Sequence, residues 1–124
     1  MKLATKDEIE RFLHEFRRCW DGNIVPRMDK RNEETLTELG LTIRQRAEEV
    51  RQLNYRDYFR GPSADHAYDI EEWWEFGKMV NNQEVYIKIK VYTSDSGKRI
   101  GKCMSFHFPF KDKPINYPYK IRRG

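Results

Sequence analysis

The sequence predicts one α+β domain in which N-terminal helices pack on a small, mostly antiparallel, twisted sheet. Three observations predict it. The first half repeats apolar residues at helical spacing behind two capping boxes, residues 84–108 alternate apolar and polar side chains, and Asn81-Asn82 and Ser94 to Gly97 have the composition of hairpin turns. Helices grouped before strands, without alternation of the two, point to α+β and away from a parallel α/β sheet. At 124 residues, the chain has length for one core, residues 1–124, and not for two.

Thr5-Lys-Asp-Glu8 has the form of a capping box, and Ile9, Phe12, Leu13, Phe16 and Trp20 then recur on one helical face until Gly22. The first helix therefore runs from about Thr5 to Trp20. Asn23 to Arg31, with Ile24, Val25 and Pro26, reads as a short strand or an extended crossing. A short helix from about Asn32 to Leu39 stops at Gly40, and Thr42-Ile-Arg-Gln45 caps a third that carries Ile43, Ala47, Val50 and Leu53. Asn54 to Asp69 is rich in Tyr, Asp, Arg, Gly and Pro and has no clean period, so it reads as a functional loop or short helical turn, with a turn at Gly61-Pro62. Three strands in meander order follow: Trp73 to Lys78, Glu84 to Tyr92 and Ile100 to Phe108. Residues 111–124, with Pro114, Pro118 and the closing Lys120-Ile-Arg-Arg-Gly124, read as a mobile basic tail.

Val85, Ile87, Ile89 and Val91 share one face of their strand, and Tyr86, Lys88, Lys90 and Tyr92 share the other. In the last strand the same rule puts Ile100, Met104, Phe106 and Phe108 on the apolar face and Cys103, Ser105 and His107 opposite. A phenol, ammonium groups and an imidazole on one surface can bind a phosphate and move protons around it. Directly opposed side chains of an antiparallel pair lie about 5 Å apart, so Tyr86, Lys88 and His107 come within reach of one phosphate. Glu75 joins them if Trp74 and Phe76 fill the core. Trp73, Lys90 and Lys102 are candidates for gripping a nucleic-acid strand, by stacking and by charge.

Charge supports a polyanionic partner. The net charge is +4, but residues 86–124 hold ten Lys or Arg against two Asp, a balance of +8, which leaves −4 for residues 1–85. No apolar run approaches membrane-spanning length and the acidic N-terminal helix lacks a signal-peptide core, so the expected location is cytoplasmic, with no membrane partner. Cys19 and Cys103 are not in CxxC or CxxH spacing, and His14 and His66 form no ligand cluster, so free thiols, no metal and no cofactor are expected. His14 reads as structural and His66 stays open. Walker and dinucleotide glycine patterns are missing from the sequence.

Tyr55-Arg-Asp-Tyr-Phe-Arg-Gly-Pro-Ser-Ala-Asp65, Trp74-Glu-Phe-Gly-Lys78, Glu84-Val-Tyr-Ile-Lys-Ile89 and Ser105-Phe-His107 together carry a resemblance. In order and spacing they resemble the MqsR-type toxins of bacterial toxin–antitoxin pairs, over roughly residues 42–110. The resemblance implies a RelE-like fold, mRNA endoribonuclease activity, a possible ribosome contact, and an antitoxin partner with zinc-binding and helix-turn-helix domains. It places the active groups on Arg60, Glu75, Tyr86 and His107, with Arg60 and His107 where the family pattern has lysine and Glu75 where it has glutamine. A histidine can shuttle protons near neutrality where a lysine chiefly stabilises charge, so roles need not transfer unchanged.

The reaction this implies is metal-independent RNA cleavage by attack of the 2′-hydroxyl on the adjacent phosphorus. Arg60 and Lys88 would stabilise charge, and His107 would transfer protons with Tyr86 or Glu75 as its partner. Two other readings use the same residues: a non-catalytic RNA- or ribosome-binding module, and an interaction protein that receives a partner strand on a sheet edge.

Overall fold

In the computed structural model, which describes residues 3–26, 28–65 and 68–120, the Thr5 hydroxyl accepts from the Glu8 amide and the Glu8 carboxylate accepts from the Thr5 amide. This closed capping box starts α1 (Lys6–Cys19), which buries Ile9, Leu13 and Phe16. Helix α2 (Arg31–Leu39) ends at Gly40, whose φ of 70° is the left-handed cap that glycine adopts without a Cβ penalty. The Thr42–Gln45 box opens α3 (Ile43–Arg51). Ala47, Val50 and Leu53 are buried, whereas Ile43 sits exposed in the first turn.

Four strands follow a 3-10 turn at Tyr55–Asp57: β1 (Tyr58–Asp65), β2 (Tyr68–Val80), β3 (Gln83–Thr93) and β4 (Arg99–His107). They form one antiparallel sheet in the order β1-β2-β3-β4, so the chain is an α+β protein with its N-terminal helices on one face of the sheet. Three strands were expected and a fourth is present, because β1 occupies the stretch that reads as a loop. Its pairing with β2 shifts register three times, and Gly61, at φ 113°, lies where a Cβ would meet the Trp73 carbonyl oxygen at 2.7 Å. Such an irregular strand carries no period-two signal. Asn81 and Asn82, at φ 48° and 66°, make the β2–β3 turn.

The last strand departs from simple alternation. Lys88 pairs with Ser105 but Ile89 pairs with Cys103, so Met104 is an extra residue in β4. A bulge reverses the phase on one side of itself. Cys103 therefore joins Ile87, Ile89 and Phe106 in the core, contrary to the expectation that put it beside Ser105 and His107. Ile100, expected on the apolar face, instead pairs with Tyr92, out of phase with core-facing Cys103. Asn32 of α2 holds the bulge: its Nδ2 donates to the Met104 carbonyl at 3.1 Å and its Oδ1 accepts from the Phe106 amide at 2.9 Å. The Val25 amide donates to the Cys103 carbonyl at 2.9 Å, and Ile24 bridges β4 in parallel, so within the stretch that reads as a short strand or an extended crossing the Ile24-Val25 pair runs along this edge.

After β4 the chain doubles back over the other face of the sheet. Ile115 is buried against Gly77, Tyr117 donates from its hydroxyl to Glu84 at 2.7 Å, and Tyr119 donates to the Ala4 carbonyl at 2.5 Å. Residues 111–120, read from the sequence as the start of a mobile tail, are thus an anchored strap; 121–124 lie outside the described residues, as does His66. Among the described residues no helix is long and apolar enough to cross a membrane.

Candidate active site

Strand alternation decides which side chains reach the face away from the helices. Phe76 is fully buried on the helix side and Trp74 stacks on Phe12 with ring centres 4.4 Å apart, so Glu75 points the other way. The ladder sets Arg60 beside Glu75, Glu75 beside Lys88, and Tyr86 beside His107. These five residues, from all four strands, line one cleft of about 810 Å³ between the sheet and the strap.

Glu75 is the centre of the arrangement. It is buried, and a carboxylate out of water must be paired. Arg60 does so through two bonds, Nε to Oε2 at 2.7 Å and Nη2 to Oε1 at 3.2 Å, and the Tyr86 hydroxyl donates to Oε1 at 2.5 Å. The hydrogen bond from Arg60 to Glu75 holds the guanidinium above the ordinary arginine value, so Arg60 is a permanent cation; its side chain remains 43% exposed toward solvent. The site thus contains a fixed positive charge, and a phenol whose proton already leans on a carboxylate.

His107 faces Tyr86 with ring centres 5.2 Å apart. Its Nδ1 lies 2.9 Å from the Phe108 carbonyl oxygen. A carbonyl only accepts, so Nδ1 carries the proton in the neutral ring. Lys88 adds a second cation, its ammonium 5.4 Å from the centre of the Trp73 ring. No protein-family model, curated protein or solved structure matches the chain. What the site can do must therefore be read from its own groups.

The residues expected to grip a strand are placed differently. Trp73 is 6% exposed and Lys90 2% exposed, the ammonium stacked 4.6 Å from the indole centre, so neither offers an open surface to a base. Lys102 pairs with Lys90 across the ladder, its ammonium 5.7 Å from the Tyr92 ring centre. All three lie outside the cleft lining. In their place the cleft has walls that no periodic pattern announces: Phe59 from β1, Phe110 just ahead of the strap, and Lys113 and Asn116 from the strap itself. A phenylalanine followed by lysines in a proline-rich tail is the only trace these leave in the sequence. Among the described residues no group of three His, Cys, Asp or Glu is placed to hold a metal ion.

Proposed function

We propose that this protein is a toxin-type endoribonuclease that cuts mRNA without a metal, through attack of a 2′-hydroxyl on its own phosphorus, as the resemblance to MqsR-type toxins implies. The observation that carries the reading is the convergence of Arg60, Glu75, Tyr86, Lys88 and His107 on one cleft. Two cations, a phenol–carboxylate pair and an imidazole are the set this reaction needs: charge stabilisation, a base and an acid.

The steps balance as follows. The 2′-hydroxyl passes its proton to the Tyr86 oxygen as the Tyr86 proton moves to Glu75, 2.5 Å away. The 2′-oxygen bonds to phosphorus, and Arg60 and Lys88 offset the dianionic charge that develops. The bond from phosphorus to the 5′-oxygen then breaks, and that oxygen takes a proton from Nε2 of the His107 imidazolium. The products are a 2′,3′-cyclic phosphate and a 5′-hydroxyl. Return of a proton from Glu75 through Tyr86, and uptake of one by His107, reset the site. In this scheme Glu75 acts through Tyr86 and Arg60, and Tyr86 and His107 touch the reacting oxygens.

An antitoxin protein, of the zinc-binding and helix-turn-helix kind the resemblance implies, is the proposed partner, with RNA or RNA on the ribosome as substrate. The strand-pairing alternative loses ground at β4, where Val25 and Asn32 already bond to its backbone and Thr35 accepts from the Phe108 amide just beyond it. Expression tests the remaining choice. A nuclease arrests growth, and Tyr86→Phe with His107→Ala relieves the arrest; a binding module shifts RNA in a gel and leaves it intact.

A further inference from the structure

The strap contributes chemistry as well as a wall. Ile115 and Tyr117 face the sheet and anchor it, while Lys113 and Asn116 are exposed and line the cleft. A turn between the Lys113 amide and the Phe110 carbonyl, at 3.0 Å, and the restricted φ of Pro109, Pro114 and Pro118 hold the display in one shape. Phe110 keeps 43% of its surface exposed although it has partners: its ring centre is 5.6 Å from that of His107, and Arg31, itself held by Asp29 at 3.1 Å, packs 4.8 Å from it. An exposed aromatic ring fixed from behind, next to an imidazole, is arranged for stacking rather than for core formation.

We propose that Phe110, Lys113 and Asn116 form a nucleobase subsite that seats one unpaired base next to the cleaved phosphate, a proposal that rests on the ribonuclease reading above. Phe110 supplies the stacking face. Lys113, whose ammonium is 5.9 Å from the Phe110 ring centre, reaches the neighbouring phosphate. Asn116 offers an amide donor and acceptor to the edge of the base, and no hydrogen bond within the described residues occupies its side chain. The ring's position beside His107 means that a base stacked there brings its own phosphate to the proton-transfer groups. An RNA whose bases are all paired cannot enter, because the base must leave its stack.

The test is a cycle between protein and RNA. Cleavage of a single-stranded oligonucleotide is compared with that of the same RNA abasic at one residue flanking the cut, in the parent, in Phe110→Leu and in Asn116→Ala. Binding of uncleavable 2′-O-methyl versions is followed in parallel by fluorescence anisotropy. The expected result is that Phe110→Leu raises KM, and the Kd of the uncleavable RNA, by about tenfold, and that the abasic RNA shows the same loss in the parent with little further loss in the variant. Asn116→Ala should narrow the preference among the four bases at that residue. If Phe110→Leu and Asn116→Ala weaken intact and abasic RNA by the same factor, or neither changes anything, the subsite is refuted while the nuclease reading stands. Base-dependent binding without cleavage keeps the subsite and removes the nuclease, and loss of both binding and cleavage in the parent removes both.

Discussion

Glu75 shows how much one residue's environment settles. Alone in the sequence it is one of many glutamates; its phase relative to Trp74 and Phe76 turns it from the core, and the fold then closes both its oxygens with Arg60 and Tyr86. Glu75→Gln keeps the shape but removes the charge that draws the Tyr86 proton. It should lower kcat by about 10²-fold with a smaller change in KM, measured on a single-stranded oligonucleotide. The phase of Glu75, Tyr86 and His107 was legible because period-two alternation survives on either side of the β4 bulge. That of Cys103 was not, since nothing in the sequence marks Met104 as the extra residue. Burial pushes the Cys103 thiol up to about 12, so it is protonated and enclosed, whereas Cys19 is partly exposed. A thiol reagent should titrate one cysteine in the native protein and two in denaturant; two fast-reacting thiols in the native protein would contradict this placement.

At the scale of elements, α2 earns its place by reading the backbone of β4. Asn32 is buried with both of its amide atoms on the bulge, so Asn32→Ala leaves the Met104 carbonyl and Phe106 amide without those bonds. The expected cost is about 2–3 kcal/mol, seen as a lower urea midpoint and faster hydrogen exchange at the Phe106 amide. The strap depends on the bare surface of β2 at Gly77, where a Cβ would lie 2.6 Å from the Tyr117 hydroxyl oxygen and 2.7 Å from Ile115 Cδ1. Gly77→Ala should push the Ile115 and Tyr117 side chains aside and loosen the strap, seen as faster proteolysis within residues 111–120. Helices announced by capping boxes and the β2–β4 meander were legible because their signals are local. Strand β1 and the strap were not: one is held by irregular pairing, the other by contacts with residues more than thirty positions away.

For the whole molecule, the uneven charge matters more than its total. The cleft gathers Arg60, Lys88 and Lys113, and RNA binding should therefore weaken steeply and log-linearly with salt. Stability carries its own pH signature at Asp57, whose carboxyl burial raises above its ordinary 3.8. The fold thus holds this proton more tightly than the unfolded chain. That contribution is full below 3.8 and is lost as pH rises through the folded value, so the charged form is a burden at neutrality. Asp57→Asn, which can still accept from the Asn54 amide, should gain stability relative to the parent as pH is raised from below 3.8 to 7 in urea titrations. The central claim, that five residues meeting on one cleft cut RNA with the ribose's own hydroxyl, is tested most directly with one RNA oligonucleotide and its twin carrying deoxyribose at the cut position. Both are incubated in EDTA with the parent and with the Tyr86→Phe, His107→Ala double variant. The predicted result is a 2′,3′-cyclic phosphate and a 5′-hydroxyl from the RNA with the parent alone, and an intact twin. Cleavage of the twin at that position, or parental rates from the double variant, would contradict it.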